Sequence, residues 1–146
     1  MKKSEAVNDL IEINNDRIAG YEKAANQASD EDLRSLFNNM AMQSRRFVNE
    51  LKQSVIALGE EPAEGSTTKG KIYRTWMDVK ATFTGDSRKS VLASCEFGED
   101  AAQHAYNTVL KDEEITGNIR TIIEKQKSSL LEAHDKIKSL RDAQHA

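Results

Sequence analysis

Apolar residues recur along this chain at intervals of three and four in four separate runs, a spacing that predicts four amphipathic helices. The first run is Val7, Leu10/Ile11, Ile18, Tyr21, Ala25 and Ala28; it predicts a helix capped by Ser4 and ending near Ala28, with Asn14 on the stripe. Ser29 followed by Asp30, Glu31 and Asp32 joins a capping residue to acids in a first turn, where the helix dipole favours negative charge. The second stripe follows as Leu33, Leu36/Phe37, Met40, Ser44, Phe47/Val48, Leu51, Val55 and Leu58, closed by Gly59 and Pro62. A third helix, from near Asp86/Ser87 to about Leu110, carries Val91/Leu92, Cys95, Ala102, Tyr106 and Val109/Leu110, and its stripe also takes in Gly98 and Glu99. Asp112 with Glu113 and Glu114 starts the fourth, on Ile115, Ile119, Ile122/Ile123, Gln126, Leu130, His134, Ile137 and Leu140/Arg141, and the last few residues should fray.

Between the second and third runs, residues 60–70 hold the only proline, two glycines and small polar residues, and read as a linker. Ile72/Tyr73, Trp76, Val79 and Phe83 then fall on one face of a short helix over 71–83. The expected fold is all-α, one domain over 1–146, with two antiparallel hairpins joined by a crossover at 59–86 that contains its own short helix. A connection of that length can travel the whole of helices about 38 Å long, which is the arrangement of a ferritin-like four-helix bundle.

Four polar residues interrupt the stripes at similar distances from the two hairpin turns: Asn14, Ser44, Glu99 and Gln126. They predict a buried polar layer at mid-height. Glu99 matters most, because an inward carboxylate is costly unless something pairs with it or binds it. One reading makes it structural, hydrogen-bonded to Gln126, Tyr21 or Tyr106 or paired with Arg17; the preferred form has amides and hydroxyls around the acid and no cation beside it. The rival reading makes it a metal ligand with Glu96, one turn earlier, and with His134, Glu22 or Glu50. His134 lies two turns from Gln126, about 12 Å away, so it reads better as a donor to a neighbouring helix. Di-metal ferritin-like proteins carry a Glu-x-x-His pair on each of two helices; the comparable positions here are Gln43-x-x-Arg46 and Gln126-x-x-Ser129. No cofactor is therefore expected, and Glu96, Glu99 and His134 stay weak metal candidates.

Charge and composition narrow the partners. Acids and bases mix along the chain to a formal net charge of −3, which gives no field suited to nucleic acid or an anionic membrane. Lys69, Lys71, Arg74, Lys80, Arg88 and Lys89 form a local basic excess that lacks interleaved aromatics and reads as a solvated face. Cys95 is the single cysteine, so no internal disulfide can form and a reducing cytoplasm is expected. The segment behind Lys2 and Lys3 is not the apolar run of a secretory signal, and no stretch approaches the length needed to span a bilayer. Trp76, with Tyr73, either packs over the seam of the bundle, the preferred reading, or centres a subunit interface; a homodimer is the one partner suggested. His104 and His145 fall away from the other histidine, so no nucleophile triad can be assembled, and the glycines fit no phosphate loop. A binding or assembly module is expected rather than an enzyme, with a metal-binding or di-metal carboxylate protein around Glu96 and Glu99 as the alternative.

Several local patterns resemble a known family. Arg74-Thr-Trp76-Met77-Asp78-x-Lys80 in the connection, Cys95-Glu96-x-Gly98-Glu99-Asp100 with Tyr106, and Gln126 with His134-Asp135 and Leu140-Arg141-Asp142 look like a bacterial ferritin-like four-helix-bundle family of unknown function, the domain of unknown function 2383 type. The resemblance extends over nearly the whole chain. It implies the bundle fold and no particular activity.

Overall fold

The computed structural model describes residues 2–65 and 88–143. Among these residues there are four helices and no strand: α1 (Lys3–Gln27), α2 (Glu31–Ala57), α3 (Arg88–Leu110) and α4 (Gly117–Asp142). Each forms where an apolar stripe predicts it, and the stripe faces inward. Leu10, Ile11, Tyr21, Phe37, Leu51, Leu92, Tyr106, Ile123 and Leu130 are fully buried, and each such Leu, Ile or Phe contributes roughly 1.5–3 kcal/mol of transfer free energy. The 71–83 helix, Tyr73, Trp76 and the final residues 144–146 lie outside the described residues.

Three helix starts differ from the sequence expectation. α1 begins at Lys3, after Lys2 as an N-cap that makes no side-chain hydrogen bond, and Ser4 is buried within the first turn. The N-cap of α2 is Asp30 and not Ser29; its carboxylate makes no cap because it accepts a hydrogen bond from Arg88 instead. α4 starts at Gly117 rather than at Asp112. Asp112 Oδ1 accepts the Glu114 N–H at 2.9 Å and its carbonyl accepts the Ile115 N–H, so the acid closes a local turn. Gly117, at φ 63°, and Gly59, at φ 77° just past the end of α2, occupy left-handed conformations in which other residues are strained.

Side-chain contacts give the directions. Asn14 meets Ser44 and Tyr21 stacks at a tilt on Phe37, so α1 and α2 run antiparallel, as the short turn between them requires. Tyr106 meets Gln126 and Asp100 meets His134, so α3 and α4 do the same. α1 packs along α2 and α3, and α3 along α4, whereas α2 touches α4 only sparsely. Arg88, at the start of α3, bonds Asp30 and Asp32 at the start of α2. The end of α2 lies at the opposite extremity, where Leu58 and Lys3 line one shallow depression. From there residues 61–65 follow α1: the Asn8 side chain bonds the Glu61 carbonyl and the Ala63 N–H, and Asn15 bonds the Gly65 carbonyl.

The apolar core falls into two clusters. One gathers Val7, Leu10, Ile11, Phe47, Leu51, Val55, Tyr106, Ile123 and Leu130. The other gathers Tyr21, Ala25, Leu33, Phe37, Leu92, Cys95 and Ile137. On α1, α2 and α3 the residues between the clusters are polar or small: Asn14 and Arg17, Ser44, Gly98 and Glu99.

Candidate functional site

The polar layer is built from residues one or two turns apart on each helix, a spacing that turns them to one face. α1 supplies Asn14, Arg17 and Tyr21; α2 supplies Ser44 and the Met40 carbonyl; α3 supplies Glu99 and Tyr106; α4 supplies Gln126. Arg17 and Glu99 lie at its centre, 1% and 0% exposed. Arg17 Nε donates to Glu99 Oε1 at 3.1 Å and Nη2 to Oε2 at 2.8 Å, the two-pronged geometry that suits a guanidinium to a carboxylate. Nη1 donates to Ser44 Oγ at 2.6 Å and to the Met40 carbonyl at 3.1 Å. The Tyr21 hydroxyl donates to Glu99 Oε2, and the guanidinium carbon stands 5.1 Å from the centre of the Tyr21 ring, within cation–π range.

From Arg17 the donors continue in one direction. Ser44 Oγ donates to Asn14 Oδ1 at 2.8 Å, Asn14 Nδ2 to the Tyr106 hydroxyl at 2.9 Å, and that hydroxyl to Gln126 Oε1 at 2.6 Å. Gln126 Nε2 then donates to Glu50 Oε1 at 2.9 Å, at the edge of the core. Burial pushes the Tyr21 phenol well above its ordinary range, and the Glu99 charge pushes the same way. Burial likewise raises Tyr106. Both phenols therefore stay protonated donors. Burial opposes the Arg17 charge, but Glu99 overcomes it and the guanidinium is held above its usual value.

All four predicted layer residues are buried, but two details of the expectation change. A cation does stand beside Glu99: Arg17, treated above only as one option, is its principal partner. A carboxylate at 0% exposure needs a countercharge more than it needs neutral amides. Gln126 does not hold Glu99; it bonds Tyr106, the backbone of Phe47 and Glu50. Tyr106 lies opposite Gln126 and Asp100 opposite His134, so Glu99 and Gln126 stand about two turns apart along antiparallel α3 and α4, and Gln126 reaches the layer through Tyr106 and Asn14.

The proposed metal donors are engaged separately. Glu96 pairs with Arg141, Glu22 with Arg45, and Glu50 with Gln126. His134 meets Asp100 on α3 at 2.7 Å and Asp135 at 3.2 Å, as a donor to a neighbouring helix would. Among the described residues no three of His, Cys, Asp and Glu converge. Cys95 is buried and His104 is exposed. Of the basic stretch, Arg88 is committed to Asp30 and Asp32, while Lys69, Lys71, Arg74 and Lys80 lie outside the described residues. No described helix is long and apolar enough to cross a membrane.

Sequence reasoning missed three features. Asp30 and Asp32 looked like dipole acids and also clamp Arg88; the signal was a basic residue opening the third stripe. Glu50 sits one turn beyond Arg46 and ends the donor chain, with only its register on α2 to suggest so. Asp16 is fully buried beside Arg17, and no pattern in α1 pointed to it.

Chemically, Arg17 and Glu99 leave no open coordination position at the centre of the layer. The chain of donors opens only at Gln126 and Glu50, which line a groove between α2 and α4.

The family described as a domain of unknown function, DUF2383, matches residues 2–112. The match takes in α1, α2 and α3, and stops short of the Gln126, His134-Asp135 and Leu140-Arg141-Asp142 patterns on α4, so the resemblance covers less of the chain than expected. No curated protein matches the chain.

Arg17→Met should leave Glu99 buried without a countercharge and destabilise the protein by about 3–5 kcal/mol, whereas Arg17→Met with Glu99→Leu should regain most of that loss. Urea titration of the three proteins checks it; a double variant as unstable as the single would mean that packing, not charge, holds the layer. His134 supplies a pH dependence. Burial lowers its affinity for a proton, but Asp135 and Asp100 more than compensate and raise the imidazole above 6.5. The pair therefore stabilises the fold fully below the unfolded-state value and loses that contribution as pH climbs through the raised folded-state value. Unfolding midpoints followed from mildly acidic to alkaline pH should fall across that window, and His134→Gln should flatten the fall.

Proposed function

This chain belongs to the DUF2383 family, and on that premise we propose that it is a single-domain ferritin-like bundle serving as a binding or assembly module without redox metal chemistry. The observation that carries the reading is the Arg17–Glu99 pair: a guanidinium occupies both oxygens of Glu99, the acid at the centre of the polar layer. The ferritin-like arrangement is supported by the ends of the long connection. Leu58 lies by Lys3, residues 61–65 run along Asn8 and Asn15, and Arg88 emerges at Asp30 and Asp32, as a crossover passing the length of the bundle requires. A reducing cytoplasmic setting fits the lone, buried Cys95.

The reading includes self-association through the segment that carries Tyr73 and Trp76, the alternative to their packing over the bundle seam, because aromatics of this kind suit an interface centre. Sedimentation at several concentrations should show a dimer that Trp76→Ala weakens; a monomer throughout disposes of that part. For the module as a whole, protein purified without chelators should contain iron, manganese and zinc far below one per chain. Near-stoichiometric metal that is lost in Glu99→Gln would overturn the reading in favour of a carboxylate metal site.

A further inference from the structure

Where α2 and α4 touch sparsely, a groove of about 490 Å³ runs along their seam. Its walls include the two helix pairs already singled out by position, Gln43 with Arg46 on α2 and Gln126 with Ser129 on α4. Three features distinguish it from an accidental gap. Gln43 lines the groove while its Oε1 is shielded from solvent and accepts no hydrogen bond, a state that costs free energy and is relieved when the amide turns to meet a donor held in the groove. Arg46 and Lys125 line the groove and take part in no ion pair among the described residues. Glu50 is held by Gln126, which Tyr106 fixes from behind, so one acceptor wall is anchored to the core. Phe47 and Ile122 add an apolar surface.

We infer that this groove binds a small organic carboxylate carrying an N–H or O–H donor, the chemistry of amino acids and hydroxy acids. The carboxylate is taken by Arg46 and Lys125, and the donor by Gln43 Oε1 and Glu50. Two cations and one acid leave a single net positive charge, which suits one carboxylate. Inorganic phosphate carries up to two negative charges at neutral pH, more than the single net positive charge of the lining balances, and is repelled by Glu50 more strongly than one carboxylate is. The volume is within the range of small-molecule sites. This inference rests on the reading of the chain as a binding module and names the ligand class.

The test is titration of the ¹⁵N-labelled full chain with serine, glutamine and lactate, with acetate and inorganic phosphate for comparison. Saturable amide shifts confined to residues 43–50 and 118–129 are expected for at least one donor-bearing carboxylate, at about millimolar concentration or below, with acetate and phosphate roughly tenfold weaker. Arg46→Ala or Lys125→Ala should weaken binding roughly tenfold, as the loss of one charge-assisted contact does. Gln43→Leu should abolish the preference over acetate. These positions lie on the groove wall, and the unperturbed spectrum of each variant verifies its fold. No saturable shift with any of the three donor-bearing probes, equal binding of acetate or phosphate, or a preference that survives Gln43→Leu would overturn the inference. Such a result in metal-free protein leaves the module reading standing, while bound metal overturns that reading whatever the titration shows.

Discussion

A guanidinium and a carboxylate enclosed together in an apolar bundle constrain everything around them. Neither Arg17 nor Glu99 tolerates burial alone, since the effective cost of dehydrating one ion in a protein interior is several kcal/mol even after relaxation. Together they are neutral, and each remaining donor or acceptor finds a partner in Ser44, Met40 or Tyr21. The pair joins α1 to α3, and Ser44 joins α2 to α1 through Arg17 and Asn14. A slide of any of these helices by one turn separates the charges or strands a hydroxyl, so the layer selects one register where apolar packing alone would accept several.

The two apolar clusters depend on that register. The first groups the early part of α1 with the later parts of α2 and α3; the second groups the opposite halves. Both hold the same helices in the same relation only because the polar layer sets where one ends and the other begins. On α4 the arrangement is looser. Gln126 joins the layer through Tyr106 from within the first cluster's depth, and the face α4 turns toward α2 carries Asn118, Thr121, Lys125 and Ser129 beside its apolar residues. Polar side chains on both walls keep α2 and α4 from closing as tightly as the other pairs. A sealed centre and an open seam thus coexist in one bundle, linked by the Tyr106–Gln126–Glu50 path.

Helix periodicity was legible in the residues because burial of a stripe is a local, repetitive constraint. The stripes of α1, α2 and α3 lie inward almost residue for residue, including the interruptions at Asn14, Ser44 and Glu99. Helix starts were less legible. Ser29, Asp30 and Asp112 each can cap a helix or do something else, and the choice fell to partners distant in sequence or to a competing local turn, as Arg88 and the Asp112 turn show.

Sequence by itself determined the four helices, their inward faces and the fact that an acid would be buried among them, because apolar spacing and the cost of isolated charge act along one segment at a time. Only the tertiary structure decided which group answers that acid. Arg17 shares the helix face of Asn14 and Tyr21, but nothing in its own helix says which acid it meets, and it becomes the countercharge only when α3 brings Glu99 against it. The groove is likewise a property of two helices far apart in the chain. No stripe on α2 or on α4 alone records how closely the other approaches.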